Sequence, residues 1–260
     1  MKKNLQIMSL NIGNPSINRA KIQAKWLEER EEDVFVLTET KNSEGCRYIA
    51  DYFMQFGYDL LSLDTNKSYN VFFPESQTGD YGVMIISKLP INNSYSIFDS
   101  SDIYFSRFAG CDIECNGSNI HLIGLYVPSR DRSEEKVARK KSFCVDVAKY
   151  LKSIKEDKTC IVCGDLNILE RSHIPHYSTF FEWEYSFYDF FGKNGFTDTF
   201  KLCNPNVIEY SWVGRTNDGY RYDYCFISKK IEKHIVKSFY LHEPRESFTD
   251  HSAITVEIKI

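Results

Sequence analysis

The sequence predicts an α/β fold, organised as one domain over residues 1–260. Continuous apolar runs of strand length, such as Val34–Leu37 and Cys160–Cys163, mark strands buried on both faces. Segments with helical spacing of apolar residues lie between the strands. The 260 residues, 42% of them hydrophobic, suffice for a sizeable core and contain no linker, low-complexity stretch or repeat.

In chain order, Leu5–Asn11 reads as a strand stopped by Gly13, Asn14 and Pro15. A helix follows over Arg19–Arg30, with Ile22, Trp26 and Leu27 on its apolar face. Val34–Leu37 ends in Thr38-Glu39-Thr40. Ser43 caps a second helix, with Tyr48, Ile49, Tyr52, Phe53 and Phe56 inward and Gly57 as its stop. Strands are expected at Tyr58–Leu63, Val71–Phe73, Tyr81–Ser87 and Tyr95–Phe98. Phe105–Glu114 and Asn119–Val127 form a hairpin about Asn116-Gly117, a strong two-residue turn signal. Ser133 opens a helix with Glu134 and Glu135 in its first turn and Val137, Cys144, Val147, Leu151 and Ile154 inward. Cys160–Asn167 is the next strand, where Asp165 and Asn167, at i and i+2, project to the same side. His173 and His176 read as residues of a solvated loop. An aromatic-rich helix over Ser178–Lys193 follows, then strands near Phe196–Phe200, Arg221–Ser228 and Phe239–His242. Ser247–His251 is a polar loop, and Ala253–Ile260 alternates as a half-buried strand.

No apolar run approaches membrane-spanning length. The two N-terminal lysines lead almost at once into the first strand, so a secretory leader is not expected and a cytoplasmic protein is. The formal charge of −4 gives no global basic footprint for nucleic acid, although a local one is compatible with it. The eight cysteines have no disulfide-scaffold spacing. A thiolate zinc site from Cys111, Cys115, Cys160 and Cys163 is disfavoured, because i and i+3 in a strand point to opposite faces.

Polar residues recur at strand ends: Asn11, Glu39, Tyr126, Asp165, Asn167, Asp223, Asp250 and His251. Each has a bland reading as a structural hydrogen bonder or a turn residue. Together they supply hard oxygen ligands for Mg²⁺ or Mn²⁺, a phenol, a carboxylate base and an imidazole. Such a set suits metal-assisted attack of water on a phosphoester.

The motifs Leu10-Asn11-Ile12, Leu37-Thr-Glu39-Thr40, Gly82–Ser87, Gly164-Asp-Leu-Asn167, Arg221-Tyr-Asp223-Tyr224 and Thr249-Asp-His251-Ser252 follow an order that resembles the endonuclease/exonuclease/phosphatase, or DNase I-like, superfamily. The resemblance covers nearly the whole chain. Leu125-Tyr-Val-Pro-Ser129, Gly195–Phe200, Tyr210-Ser-Trp212 and Gly219–Asp223 resemble its exonuclease III and abasic-site endonuclease branch. The chain departs from that pattern at Leu10, where Trp or Phe is usual, and at Gly13-Asn-Pro-Ser. It departs again at Tyr220 and Tyr222, which flank Arg221 where a Trp and an aliphatic residue are usual and so alter the pocket's shape and polarity.

The resemblance implies a four-layer α/β sandwich, with two mixed sheets packed face to face and flanked by helices. It implies that Glu39 is the main Mg²⁺ (or Mn²⁺) ligand, with Asn11 beside it and Asp250 as a further metal or supporting carboxylate. Asp165 is expected to activate water, with Asn167 holding water or a phosphoryl oxygen. His251, oriented by Asp223, is expected to donate to the phosphoryl group, and Tyr126 to contact phosphate or the leaving oxygen. Arg130, Trp212, Tyr220, Arg221 and Tyr222 are the expected substrate contacts, with Arg132, Arg139, Lys140, Lys141 and Arg215 as further phosphate contacts. The expected substrate is DNA, cut 5′ of an abasic site or from a 3′ end by a monomer with no membrane partner. A small phosphoester, and a non-catalytic binding module on the same fold, are the alternatives.

Overall fold

The computed structural model describes residues 4–55, 69–77, 79–154 and 158–260. The chain runs β1 (Asn4–Asn11), α1 (Ile17–Glu28), β2 (Val34–Thr40), α2 (Glu44–Gln55), β3 (Asn70–Phe72), β4 (Gly82–Ser87), β5 (Ile91–Tyr95), β6 (Phe108–Cys115), β7 (Ser118–Tyr126) and α3 (Glu134–Ser153). It continues through β8 (Thr159–Asp165), α4 (Glu182–Lys193), β9 (Phe196–Asp198), α5 (Thr199–Cys203), β10 (Trp212–Val213), β11 (Gly219–Tyr220), β12 (Asp223–Ser228), β13 (Ile235–Leu241), α6 (Glu243–Ser247) and β14 (Ala253–Lys259).

Two mixed six-stranded sheets result, ordered β13-β14-β1-β2-β4-β3 and β5-β6-β7-β8-β12-β9, with a separate β10-β11 ribbon. Because successive strand residues face opposite ways, each sheet contributes to two cores. Leu5, Ile7, Val36 and Ile85 of the first sheet meet Ile113, Leu122, Ile161 and Ile227 of the second in the middle of the molecule. On the outer face of the first sheet, Met8, Leu10, Phe35 and Ile86 pack on Ala20, Ala24, Leu27, Ile49 and Phe53 of α1 and α2. Outside the second, Ile123, Leu125, Val162 and Phe226 pack on Phe143, Val147, Phe187 and Phe191 of α3 and α4. The fold is the four-layer sandwich, as expected. Among the described residues no helix is long and apolar enough to cross a membrane.

Cys160 lies in the outer core and Cys163 in the central one, as the strand argument requires. The Asn116-Gly117 hairpin is also present, with both turn residues at positive φ. Other expectations are corrected. Ile22 points to solvent, because α1 buries Ala20, Gln23, Ala24 and Leu27 instead. The strand expected at Tyr95–Phe98 lies earlier, at Ile91–Tyr95, where it pairs with β6. Phe105–Arg107 is a helical turn rather than the start of a strand. β14 is buried on both faces rather than one, because it sits between β13 and β1 with packing above and below. The strand expected at Tyr58–Leu63, with Phe56 and Gly57, lies outside the described residues.

Candidate active site

β1 and β2 run parallel and adjacent through α1, and β7 and β8 do so through α3. Each βαβ unit finishes two neighbouring strands at one edge of its sheet. Asn11 and Glu39 come from the first pair, Tyr126 and Asp165 from the second. Asp223 opens β12 directly opposite Asp165 in antiparallel register. The two sheets are joined where these ends meet. The Asn11 amide donates to Glu39 Oε2 and to Asp165 Oδ2, both at 2.9 Å. The Tyr126 hydroxyl donates to Glu39 Oε2 at 3.2 Å.

Two residues reach the site through irregular backbone. Glu39 has φ +55° at a register break between Thr38 and Thr40. A bulge of this kind re-aims a side chain at a sheet edge. Asn167 has φ +49° and lies beyond the end of β8. Its position beside Asp165 therefore comes from a left-handed turn, not from the strand alternation expected. Its backbone N–H donates to Asp165 Oδ1 at 2.9 Å, and its amide to Val127 O at 3.0 Å.

Asp223 Oδ2 accepts from His251 Nδ1 at 2.7 Å, which leaves Nε2 facing Asp165 Oδ2 at 4.0 Å. That gap is too long for a hydrogen bond, and it suits a small oxygen between the two groups. Four further hydrogen bonds hold the dyad. Ser211 Oγ accepts from the backbone N–H of Tyr222 and of Asp223 at 2.9 and 3.1 Å. Ser211 O accepts from Ser252 N at 2.7 Å, and Tyr240 OH donates to Asp223 O at 2.5 Å. The sequence reading did not single out Ser211 for this role, since nothing local marks it.

Burial, reinforced by the neighbouring Asp223 carboxylate, pushes the Asp165 carboxyl up to about 7. Burial pulls His251 down, but its hydrogen bond and charge contact with Asp223, with Asp165 adding, overcome this and raise it to about 9. Burial, with Asp165 and Glu39 nearby, pushes the Tyr126 phenol well above its ordinary range.

A divalent cation fits this donor set. The Glu39 carboxylate opens onto a basin shared with Asp250. Buried Asp165, Asp223 and His251 each offer a ligand atom within 4.8 Å of the others. Asp223 Oδ1 is buried with no hydrogen-bond partner. Asn11 turns its NH₂ to the two carboxylates, while its Oδ1 accepts from Gly13 N at 3.0 Å. The reverse orientation would set oxygen against oxygen.

The profile of the Endonuclease/Exonuclease/phosphatase family matches residues 8–251. The chain belongs to this family. It is 26% identical to Recombination repair protein 1 of Drosophila melanogaster over 99% of this chain, which spans only 37% of that longer protein. It is 22% identical to the exodeoxyribonuclease of Bacillus subtilis, with 89% of this chain and 91% of that protein covered. An AP endonuclease structure from Archaeoglobus fulgidus superposes with a TM-score of 0.81 at 22% identity, covering 98% of this chain and all of that one.

Within this Endonuclease/Exonuclease/phosphatase member, the flank beyond His251 is aromatic. Tyr220 and Tyr222 stack at 5.1 Å, Trp212 lies 5.4 Å from Tyr220, and Tyr177 stacks on Tyr220 at 4.2 Å. Asp250 accepts from Trp212 Nε1 at 2.9 Å. A cavity of about 190 Å³ lies between Asn167, Tyr220, Tyr222, Phe180 and Arg130.

Several expected substrate contacts are corrected. Arg221 is only 1% exposed, ion-paired to Glu170 and Asp198 and stacked on Tyr224. It lies beneath the surface, so the tyrosines on either side of it line the flank and Arg221 does not. Lys140 is equally buried, donating to Glu184 and to Asn167 O at 2.6 and 2.5 Å. Arg130 walls the small cavity but pairs with the same Glu184. Arg139 pairs with Asp80, whereas Arg132, Lys141 and Arg215 are exposed. His173 is buried rather than solvated: it bonds Pro175 O, and its Nε2 accepts from Arg221 N.

Proposed function

We propose that this protein is a divalent-cation-dependent phosphodiesterase that hydrolyses DNA phosphodiester bonds, acting at abasic sites or 3′ ends. The observation that carries this reading is the continuous chain Glu39–Asn11–Asp165, facing the Asp223–His251 dyad across 4.0 Å. A base and an acid stand on either side of a space sized for a reacting oxygen. The sequence relatives named for DNA cleavage and repair support DNA as the substrate.

Glu39 is the first ligand for Mg²⁺ (or Mn²⁺), with Asp250 across the basin as a supporting carboxylate. When bound, the cation polarises a phosphoryl oxygen and stabilises the leaving alkoxide. Asp165 accepts a proton from the attacking water; its raised pKa makes it a competent base near neutrality. His251 remains an imidazolium and directs Nε2–H at a phosphoryl oxygen as charge builds. Asp223 fixes the ring so that Nε2 points inward. Tyr126 keeps its proton and steadies Glu39, beside the leaving oxygen. Asn167 holds Asp165 through its backbone. The Trp212, Tyr220 and Tyr222 flank suits stacking of a base or sugar next to the cut.

Asp165→Ala and His251→Ala are each expected to lower turnover by at least about a hundredfold while the fold is kept. Chelation should abolish activity and added Mg²⁺ restore it. Retained cleavage in either variant removes that residue's role. The tyrosine-walled cavity of about 190 Å³ favours a second reading, a small phosphoester carrying a planar ring. Turnover of such a compound at a rate above that of DNA would establish it.

A further inference from the structure

We propose that the open basin beside Glu39 is a second phosphate subsite, built by Arg19 and Arg245, which holds a backbone phosphate next to the one being cleaved. The inference rests on the nuclease reading and names a part of its substrate that the site residues above do not touch.

The basin holds about 500 Å³ and is lined by Gly13, Arg19, Glu39, Arg245, Thr249 and Asp250 among others. Its floor is therefore continuous with the reacting centre through Glu39. Arg19 enters from the first turn of α1 and Arg245 from α6. The other buried or half-buried arginines, Arg30, Arg107, Arg130, Arg139 and Arg221, each lie on a carboxylate. Arg19 and Arg245 are half-buried, yet neither has an acidic partner among the described residues. Each is held by a single backbone carbonyl: Arg19 Nη2 donates to Gly13 O, and Arg245 Nη1 to Tyr210 O at 2.8 Å. Arg19 Nε is buried with no acceptor at all.

A guanidinium removed from water without an anion loses more than it gains, and its fork of donors matches phosphate geometry. Two such forks, steered into one basin and left uncompensated, are accounted for by an anion that arrives with the substrate. The three carboxylates that line the basin do not fill this role: Glu246 is exposed and pairs with neither arginine, Asp250 is engaged by Trp212, and Glu39 is committed to the reacting centre. A nucleic-acid strand places further phosphates beside the scissile one, so the fitting occupant is a neighbouring backbone phosphate.

The test uses a labelled duplex that the wild-type protein cleaves, with each phosphate flanking the scissile one replaced in turn by an uncharged methylphosphonate. Binding is read by anisotropy in Asp165→Asn, which cannot cut, with and without Arg245→Ala. Arg19→Gln serves as the independent second variant, and circular dichroism confirms folding. At one flanking position, neutralising the phosphate should weaken binding about tenfold in the parent and leave the arginine variants unchanged. Each lost contact should also lower the salt slope by about 0.9. Equal weakening in parent and arginine variants at every position, with wild-type cleavage intact, overturns the subsite and leaves the nuclease reading standing. Tighter retention of inorganic phosphate or of a small bisphosphate than of duplex assigns the arginines to a small substrate and overturns the proposal. Absence of wild-type cleavage removes the nuclease reading and the subsite with it.

Discussion

Asp165 and His251 face each other at 4.0 Å, and burial acts on them in opposite senses. The carboxyl is pushed toward its neutral form, while Asp223 keeps the imidazole charged. The productive pairing, Asp165 ionised and His251 protonated, is therefore confined to a window between about 7 and about 9. kcat/KM should rise through the first value and fall through the second, with a bound cation shifting the lower limb toward acid. A profile flat from pH 6 to 10 would contradict these assignments. The same burial has a stability cost. Asp165 has a folded value above its ordinary one of 3.8, so the penalty is absent below about 4, grows as the unfolded chain ionises and is complete above about 7. Asp165→Asn should accordingly be more stable than the parent by on the order of 4 kcal/mol at pH 8 and equal to it near pH 4. Urea denaturation in chelator at both pH values measures this. A variant less stable at pH 8 would show that the folded protein does not penalise the charge.

At the scale of elements, the site depends on the close pairing of β7 and β8. Gly164, with φ +144°, stands where a Cβ would lie 1.9 Å from Leu125 O. Gly164→Ala should force these strands apart, destabilise the fold by about 3 kcal/mol or more and displace Asp165. Thermal denaturation reads the first effect, and an unchanged melting temperature would show that the strands yield easily. Elements like these were legible in the sequence because a fully buried strand announces itself as an apolar run and stops at its first polar residue. Asp165 follows that rule, whereas β1 and β7 already carry Gln6, Ser9 and His121 before they end at Asn11 and Tyr126. Glu39 and Asn167 do not follow it: a bulge and a left-handed turn aim them, and neither leaves a periodic trace. Arg221 was misread because its partners Glu170 and Asp198 are distant in sequence and Asp223 is near. Adjacency to a catalytic motif suggested a pocket, and the fold instead supplied a buried ion pair.

Over the whole molecule, two βαβ units, one in each sheet, bring two strand ends each to a shared edge, and the Asn11 bridge connects them. Neither sheet holds the site alone. The reacting centre is built of groups that are costly to bury, in a chain whose net charge of −4 discourages indiscriminate binding of polyanions. On the proposed function, affinity for DNA rests on local contacts, proposed at the aromatic flank on one side and the arginine basin on the other. The most direct test is Mg²⁺-dependent cleavage of two matched labelled duplexes, one with a single abasic site and one intact, with Asp165→Ala as control. The proposed function predicts cleavage of the abasic duplex, or of both, and none by the variant. Folded protein that leaves both duplexes whole would contradict it.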